Sequence, residues 1–84
     1  MAKIIKSTGD VCDTHPKNGT DFKLEELRSV VKGYIEIVYL KDGRLMVVNE
    51  EGILEKLPYN HLASMLAKEP IVGDVLVCER GQIL

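Results

Sequence analysis

Eighty-four residues, 45% of them hydrophobic and none of them Trp, describe one small globular domain, because so short a chain buries only about 60–65% of its unfolded surface and has no room for two cores. Thirteen acidic against eleven basic residues leave a formal charge of −2, with Lys and Arg scattered, so the field neither attracts duplex nucleic acid nor imitates its phosphates. No apolar run reaches the length of a membrane span, and Ile4-Ile5 is too short for a signal-peptide core, which makes the cytoplasm the expected location.

Lys3 to Lys6 and Val11 to Thr14 read as two short strands joined by the turn-rich Ser7 to Asp10, and Pro16, which has no backbone donor, ends their pairing. Leu24, Leu27, Val30 and Val31 then recur at helical spacing with Glu25, Glu26, Arg28 and Ser29 outward, and Gly33 stops this first helix. Phe22 is placed to staple the helix start against Leu27. Lys23 stands where a capping Ser or Thr would complete a box with Glu26, so Asp21 is the expected substitute cap.

Two strongly apolar runs follow, Tyr34 to Leu40 and Leu45 to Asn49, on either side of Asp42-Gly43. Asp-Gly between β-branched runs is a strong hairpin signal, because the turn needs a positive φ that Gly supplies without steric cost. Strand alternation puts Ile35, Ile37 and Tyr39 on one side and Tyr34, Val38 and Leu40 on the other, and it opposes Leu45 and Val47 to Met46 and Val48. Asn49 to Gly52 is a polar turn. Asn60 is a suitable N-cap for a second helix from His61 to Lys68, with Leu62, Met65 and Leu66 as its apolar stripe and Pro70 as its stop. Val75 to Glu79 reads as a final buried strand. The expected class is therefore α+β in the order ββαββαβ, about five mainly antiparallel strands with two short helices on one face. On that arrangement the second face keeps Val38, Leu40, Met46 and Val48 for a homodimer or a higher homo-oligomer.

From Gly33-Tyr34-Ile35-Glu36 through Asp42-Gly43, Met46 to Gly52, Leu57-Pro58 with Asn60, and Ile71 to Val77, the order and spacing of residues resemble the family called domain of unknown function 3846. The likeness covers most of the chain from Asn18 onward. Lys23, where the family pattern tends to have a capping Thr, and Lys32, where a second Gly often precedes Gly33, depart from it. The resemblance implies a phage or mobile-element setting, hence a host-cell cytoplasm, and it carries no established catalytic residues.

Candidate chemistry is thin. Cys12, His15, His61 and Cys78 have the right atoms for zinc, but they come from distant segments with no enforcing spacing; reduced, half-buried thiols, no metal and no cofactor are the expectation. A Cys–His nucleophilic pair lacks an orienting third group, so no enzyme is expected. Asn49 and Asn60 can hydrogen-bond a base edge or a sugar, and Asn60 opens a helix where free N–H groups suit a phosphate; the competing account makes one a turn residue and the other a plain cap. Tyr34, Tyr39 and Tyr59 with Arg44 can stack on a planar ligand, although strand aromatics more often pack. Two functions follow: a non-catalytic protein that sequesters a small nucleotide-like ligand such as a host-defence signal, or a module that binds or inhibits a host protein through its exposed apolar sheet face.

Overall fold

Asp42 and Gly43 turn the chain as the sequence predicts. Gly43 sits at φ 92°, the Leu40 N–H donates to the Arg44 carbonyl at 2.9 Å, and the Asp42 carboxylate accepts the Arg44 N–H at 3.0 Å. The computed structural model describes residues 2–83, and its elements are β1 (Ala2–Ile5), β2 (Val11–Thr14), α1 (Leu24–Val31), β3 (Ile35–Tyr39), β4 (Leu45–Asn49), α2 (His61–Ala67) and β5 (Val75–Cys78), followed by a 3-10 turn at Arg80–Gln82. The expected α+β class and ββαββαβ order hold. The five strands form one antiparallel sheet in the order β2-β1-β5-β4-β3, so the last strand to be made lies at its centre and β2 and β3 are its edges. Sequence alone did not foresee the 3-10 turn. It carries the Gln82 carbonyl that accepts the Phe22 N–H at 2.7 Å and so ties the chain end beside the start of α1.

The two helices lie on opposite faces of the sheet, which corrects the expectation that both share one. On the first face, Leu27 and Val31 of α1 join Ala2, Phe22, Leu45, Val47, Leu76 and Cys78. On the second, Ala63 of α2 joins Ile5, Leu40, Met46, Val48, Ile71, Val75 and Val77. Alternation along β4 and β5 sends apolar side chains both ways, and every residue of these two strands is buried. Each face thus needs a cover, worth roughly 1.5–3 kcal/mol per large side chain removed from water. Connectivity assigns the covers: α1 must cross from edge strand β2 to edge strand β3, while α2 makes the return from β4 to its neighbour β5.

The proposed oligomer residues are accordingly core. Met46 is fully buried, Val48 and Leu40 are 6% and 8% exposed, and Val38 is half-buried against the same cluster. Among the described residues, α1 and α2 each cover the central strands of one sheet face, so the four residues expected at an interface lie in the core instead. The two-helix, one-face expectation failed because the apolar pattern shows that both faces are covered without showing by what.

Helix ends also differ from expectation. At α1 the cap is Lys23, and the Glu26 carboxylate accepts both the Lys23 N–H at 2.8 Å and the Lys17 N–H at 3.0 Å; Asp21 instead accepts from the Asn18 amide. The helix closes one residue before Gly33, on Lys32 in the left-handed region at φ 64°.

Candidate functional site

Asn49 and Asn60 both turn inward and hold loops to the sheet. The Asn49 side-chain nitrogen donates to the Val31 carbonyl at 3.0 Å and to Glu55 at 3.1 Å, and its oxygen accepts the Glu51 N–H at 2.8 Å. Asn60, 1% exposed, caps α2 by accepting the Ala63 N–H at 3.1 Å and donates to the carbonyls of Ile5 at 2.9 Å and Gly73 at 2.8 Å. Every polar atom of these two amides is engaged within the fold, so neither offers a free donor to a ligand.

The other four candidates are not gathered. Tyr34 precedes β3 and lies under the Arg28 guanidinium, 4.9 Å from the ring centre, at the end of the sheet where Asn49 and Asn60 sit. Tyr59 pairs with Val72 in an isolated bridge at that end and meets His61 edge to face at 5.8 Å. Tyr39 and Arg44 lie at the opposite end, separated from Ile35 by the length of β3, roughly 13 Å at the usual strand rise. There Arg80 stands 5.7 Å over the Tyr39 ring, and Arg44 is paired to Asp42 at 2.7 Å. A single ligand of nucleotide size does not touch all six.

The feature sequence reading missed is the outward side of α2. The stripe Leu62, Met65 and Leu66 is not the buried one: these side chains are 37%, 64% and 38% exposed, while Ala63 and Ser64 are buried and Ala67 packs beneath them. Ser64 explains the rotation. Its hydroxyl accepts the Ile71 N–H at 2.8 Å and donates to the Asn60 carbonyl at 2.7 Å, which locks the helix to the incoming 70–72 segment with its small residues down. Small residues let the helix approach the sheet closely, and the large apolar ones are left on the surface. The signal was present in Ala63-Ser64 and Ala67, at the same helical spacing as the leucines. Ile53 and Leu54, 77% and 80% exposed, project from the 50–57 turn.

A further concavity lies on the opposite face. Because α1 covers β3, β4 and β5, a cleft of about 380 Å³ opens between α1 and the β2 end of the sheet, floored by Leu76, Phe22 and Val30 and rimmed by Thr14, His15, Lys17 and Lys23. The Glu26 carboxyl at this cleft is lowered from its ordinary pKa by the two backbone N–H groups it accepts. Cys78 is buried in the sheet, and desolvation pushes its thiol up to about 11, which leaves it protonated and unreactive; Cys12, expected to be half-buried, is exposed on edge strand β2. Among the described residues no three His, Cys, Asp or Glu side chains gather as a metal ion would require. None of the described helices is long and apolar enough to cross a membrane.

Fold and surface together define a small α+β domain whose central strands are covered on both faces and whose exposed apolar side chains include Leu62, Met65 and Leu66 of α2 and Ile53 and Leu54 of the 50–57 turn. Its sequence matches the family described as Domain of unknown function (DUF3846) over residues 5–82, and the chain belongs to that family. No curated protein and no solved structure gave a match.

Proposed function

We propose that this protein is a non-catalytic interaction module that binds the apolar surface of another protein with the outward side of α2. The observation that carries this reading is that α2 contains no charged residue and presents Leu62, Met65 and Leu66 to solvent while its small side chains face the core. A helix with large apolar side chains on its outward side, opposite the side that packs on the core, is ordinarily covered there as well. A neutral, Met-bearing surface suits an apolar partner and contributes no charge to repel it. The phage or mobile-element setting implied by the family resemblance makes host proteins the first partners to examine. Wild type, Met65→Glu and Met65→Leu would be compared as baits, followed by titration of the purified partner. The expected result is a partner held by wild type and Met65→Leu and weakened at least tenfold by Met65→Glu, with helix content unchanged. Identical capture by all three would overturn it.

A second reading, sequestration of a small nucleotide-like ligand, rests on the cleft beside α1. Its volume of about 380 Å³ is in the range of small-molecule sites, and Lys17, Lys23 and His15 lie at its rim together with Glu25 and Glu26. Calorimetry against linear and cyclic nucleotides, repeated with Lys17→Ala, tests it: absence of heat for every member removes this reading without touching the first.

A further inference from the structure

The outward edge of β3 is a separate surface, and the geometry points to a second copy of this chain as its occupant, paired antiparallel strand to strand about Ile37. Hydrogen bonding fixes which groups are free. The Leu40 N–H donates to Arg44 and the Glu50 N–H to Tyr34, so residues 34, 36, 38 and 40 address β4. By the alternation of an antiparallel ladder, Ile35, Ile37 and Tyr39 direct their N–H and C=O groups away from the sheet. No other segment among the described residues takes these groups.

Sheet edges are normally protected by brevity, Pro, an inward charge or a bulge. The β2 edge has such protection: it is four residues long, carries Asp13 paired to Lys3, and runs into Pro16. In contrast, β3 is a regular five-residue strand, paired without interruption to β4, and its three outward-bonding residues are Ile, Ile and Tyr. Among the described strands β3 is thus the less guarded edge, and its one charge, Glu36, belongs to a residue that bonds to β4.

Charge and the number of hydrogen-bonded pairs together select the register, since a centre at Val38 would carry Ile35 past the end of the second strand. With Ile37 opposite its own copy, Ile35 faces Tyr39 of the second chain, all three outward residues form hydrogen-bonded pairs, and Glu36 faces Val38. Shifting the centre to Glu36 would set two carboxylates directly opposite each other and lose one of those pairs. A groove of about 200 Å³ lined by Glu36, Val38, Val48, Ile53 and Leu54 opens beside this edge on the α2 face, which places the exposed Ile53 and Leu54 next to the incoming strand. The two-fold axis stands perpendicular to the sheet, so the result is a continuous ten-stranded sheet with like helices on like faces. This pairing does not use the outward side of α2 and stands or falls independently of the partner-binding reading.

Cross-linking tests the pairing at residue level. Glu36→Cys and Val38→Cys, each made in a Cys12→Ser background, would be oxidised separately and as an equimolar mixture. Only the mixture should yield a disulfide-linked species of twice the 9.4 kDa chain mass, because position 36 meets position 38 of the second copy. Cross-linking of Glu36→Cys with itself would overturn the register, and no cross-linking in any sample would overturn the pairing. Ile37→Pro supplies the second arm, since its N–H is not used within the chain and Pro is tolerated on an edge. Wild type should sediment as a dimer at tens of micromolar, within reach of an ordinary interface, and the Pro variant as a folded monomer; a monomeric wild type would overturn the proposal.

Discussion

The side-chain nitrogen of Asn49 lies 2.8 Å from where a β-carbon on Gly33 would stand, so the buried amide that fastens β4 to the end of α1 occupies the space a side chain at 33 would need. Asn49 is held by three hydrogen bonds and has little freedom to withdraw. Gly33→Ala should therefore cost about 1–3 kcal/mol by crowding, and Asn49→Ala a similar amount by leaving the Val31 carbonyl and the Glu51 N–H without partners. The two are coupled. In a double-mutant cycle by urea denaturation, Gly33→Ala should cost at least about 0.5 kcal/mol less when Asn49 is already Ala, and strict additivity would show that the contact carries nothing.

Asn60 goes further than an ordinary cap. A surface N-cap replaced by Ala loses about 1 kcal/mol, but here two buried carbonyls, of Ile5 and Gly73, also lose their donor. Asn60→Ala should cost about 2–4 kcal/mol, and Asn60→Ser, able to cap but too short to reach both carbonyls, an intermediate amount. Equal, small losses for both variants would reduce Asn60 to a cap alone.

These two residues show where sequence reading stops. Asn49 and Asn60 were recognisable as special because each stands at an element boundary, yet the same feature served ligand binding and loop fastening equally well. Only the positions of Val31, Ile5 and Gly73, distant in sequence, decide what their amides touch. The hairpin, strand alternation and both helix positions were legible because they depend on local turn chemistry and periodicity. The assignment of one helix to each face was not, because it depends on strand order, and the inward side of α2 was not, because Ala63, Ser64 and Ala67 share a helical spacing with the more conspicuous Leu62, Met65 and Leu66.

The start of α1 should loosen in acid. Glu26 accepts the Lys23 and Lys17 N–H groups as a carboxylate, and its folded pKa is lowered below the ordinary glutamate value of 4.5. A depressed carboxylate stabilises the fold fully above its unfolded pKa, and that contribution disappears as pH falls through the folded pKa. Amide resonances of Lys17 and Lys23 should thus shift together with a midpoint below 4.5, and neither should do so in Glu26→Ala. Midpoints at or above the ordinary glutamate value would contradict the two-bond arrangement.

Lys32 closes α1 in the left-handed region, at φ 64° and ψ 41°, where a β-carbon is unfavourable. Lys32→Gly should stabilise the protein by about 0.5–1 kcal/mol, the relief at the helix end exceeding the added freedom of the unfolded chain. For a domain of this size that corresponds to a rise of about 2–8 °C in Tm. A lower Tm would mean that the Lys32 side chain makes a contribution outweighing its backbone strain.

Met46 and Met65 separate the observed arrangement from the one the sequence suggested. With Val38, Leu40, Met46 and Val48 on a bare sheet face, a charge at 46 would leave a folded chain and disrupt only its assembly. In the structure Met46 is fully buried beneath α2, whereas Met65 is 64% exposed on the outer side of the same helix. Met46→Asp places an unpaired carboxylate in the core and should cost more than about 4 kcal/mol, enough to unfold a domain of this size. Met65→Glu exchanges one good helix former for another at the surface and should stay within about 0.5 kcal/mol of wild type. Far-ultraviolet circular dichroism through a urea titration distinguishes the two: an early or absent transition for Met46→Asp beside an unchanged one for Met65→Glu is the expected pair, and a well-folded Met46→Asp would restore the open sheet face.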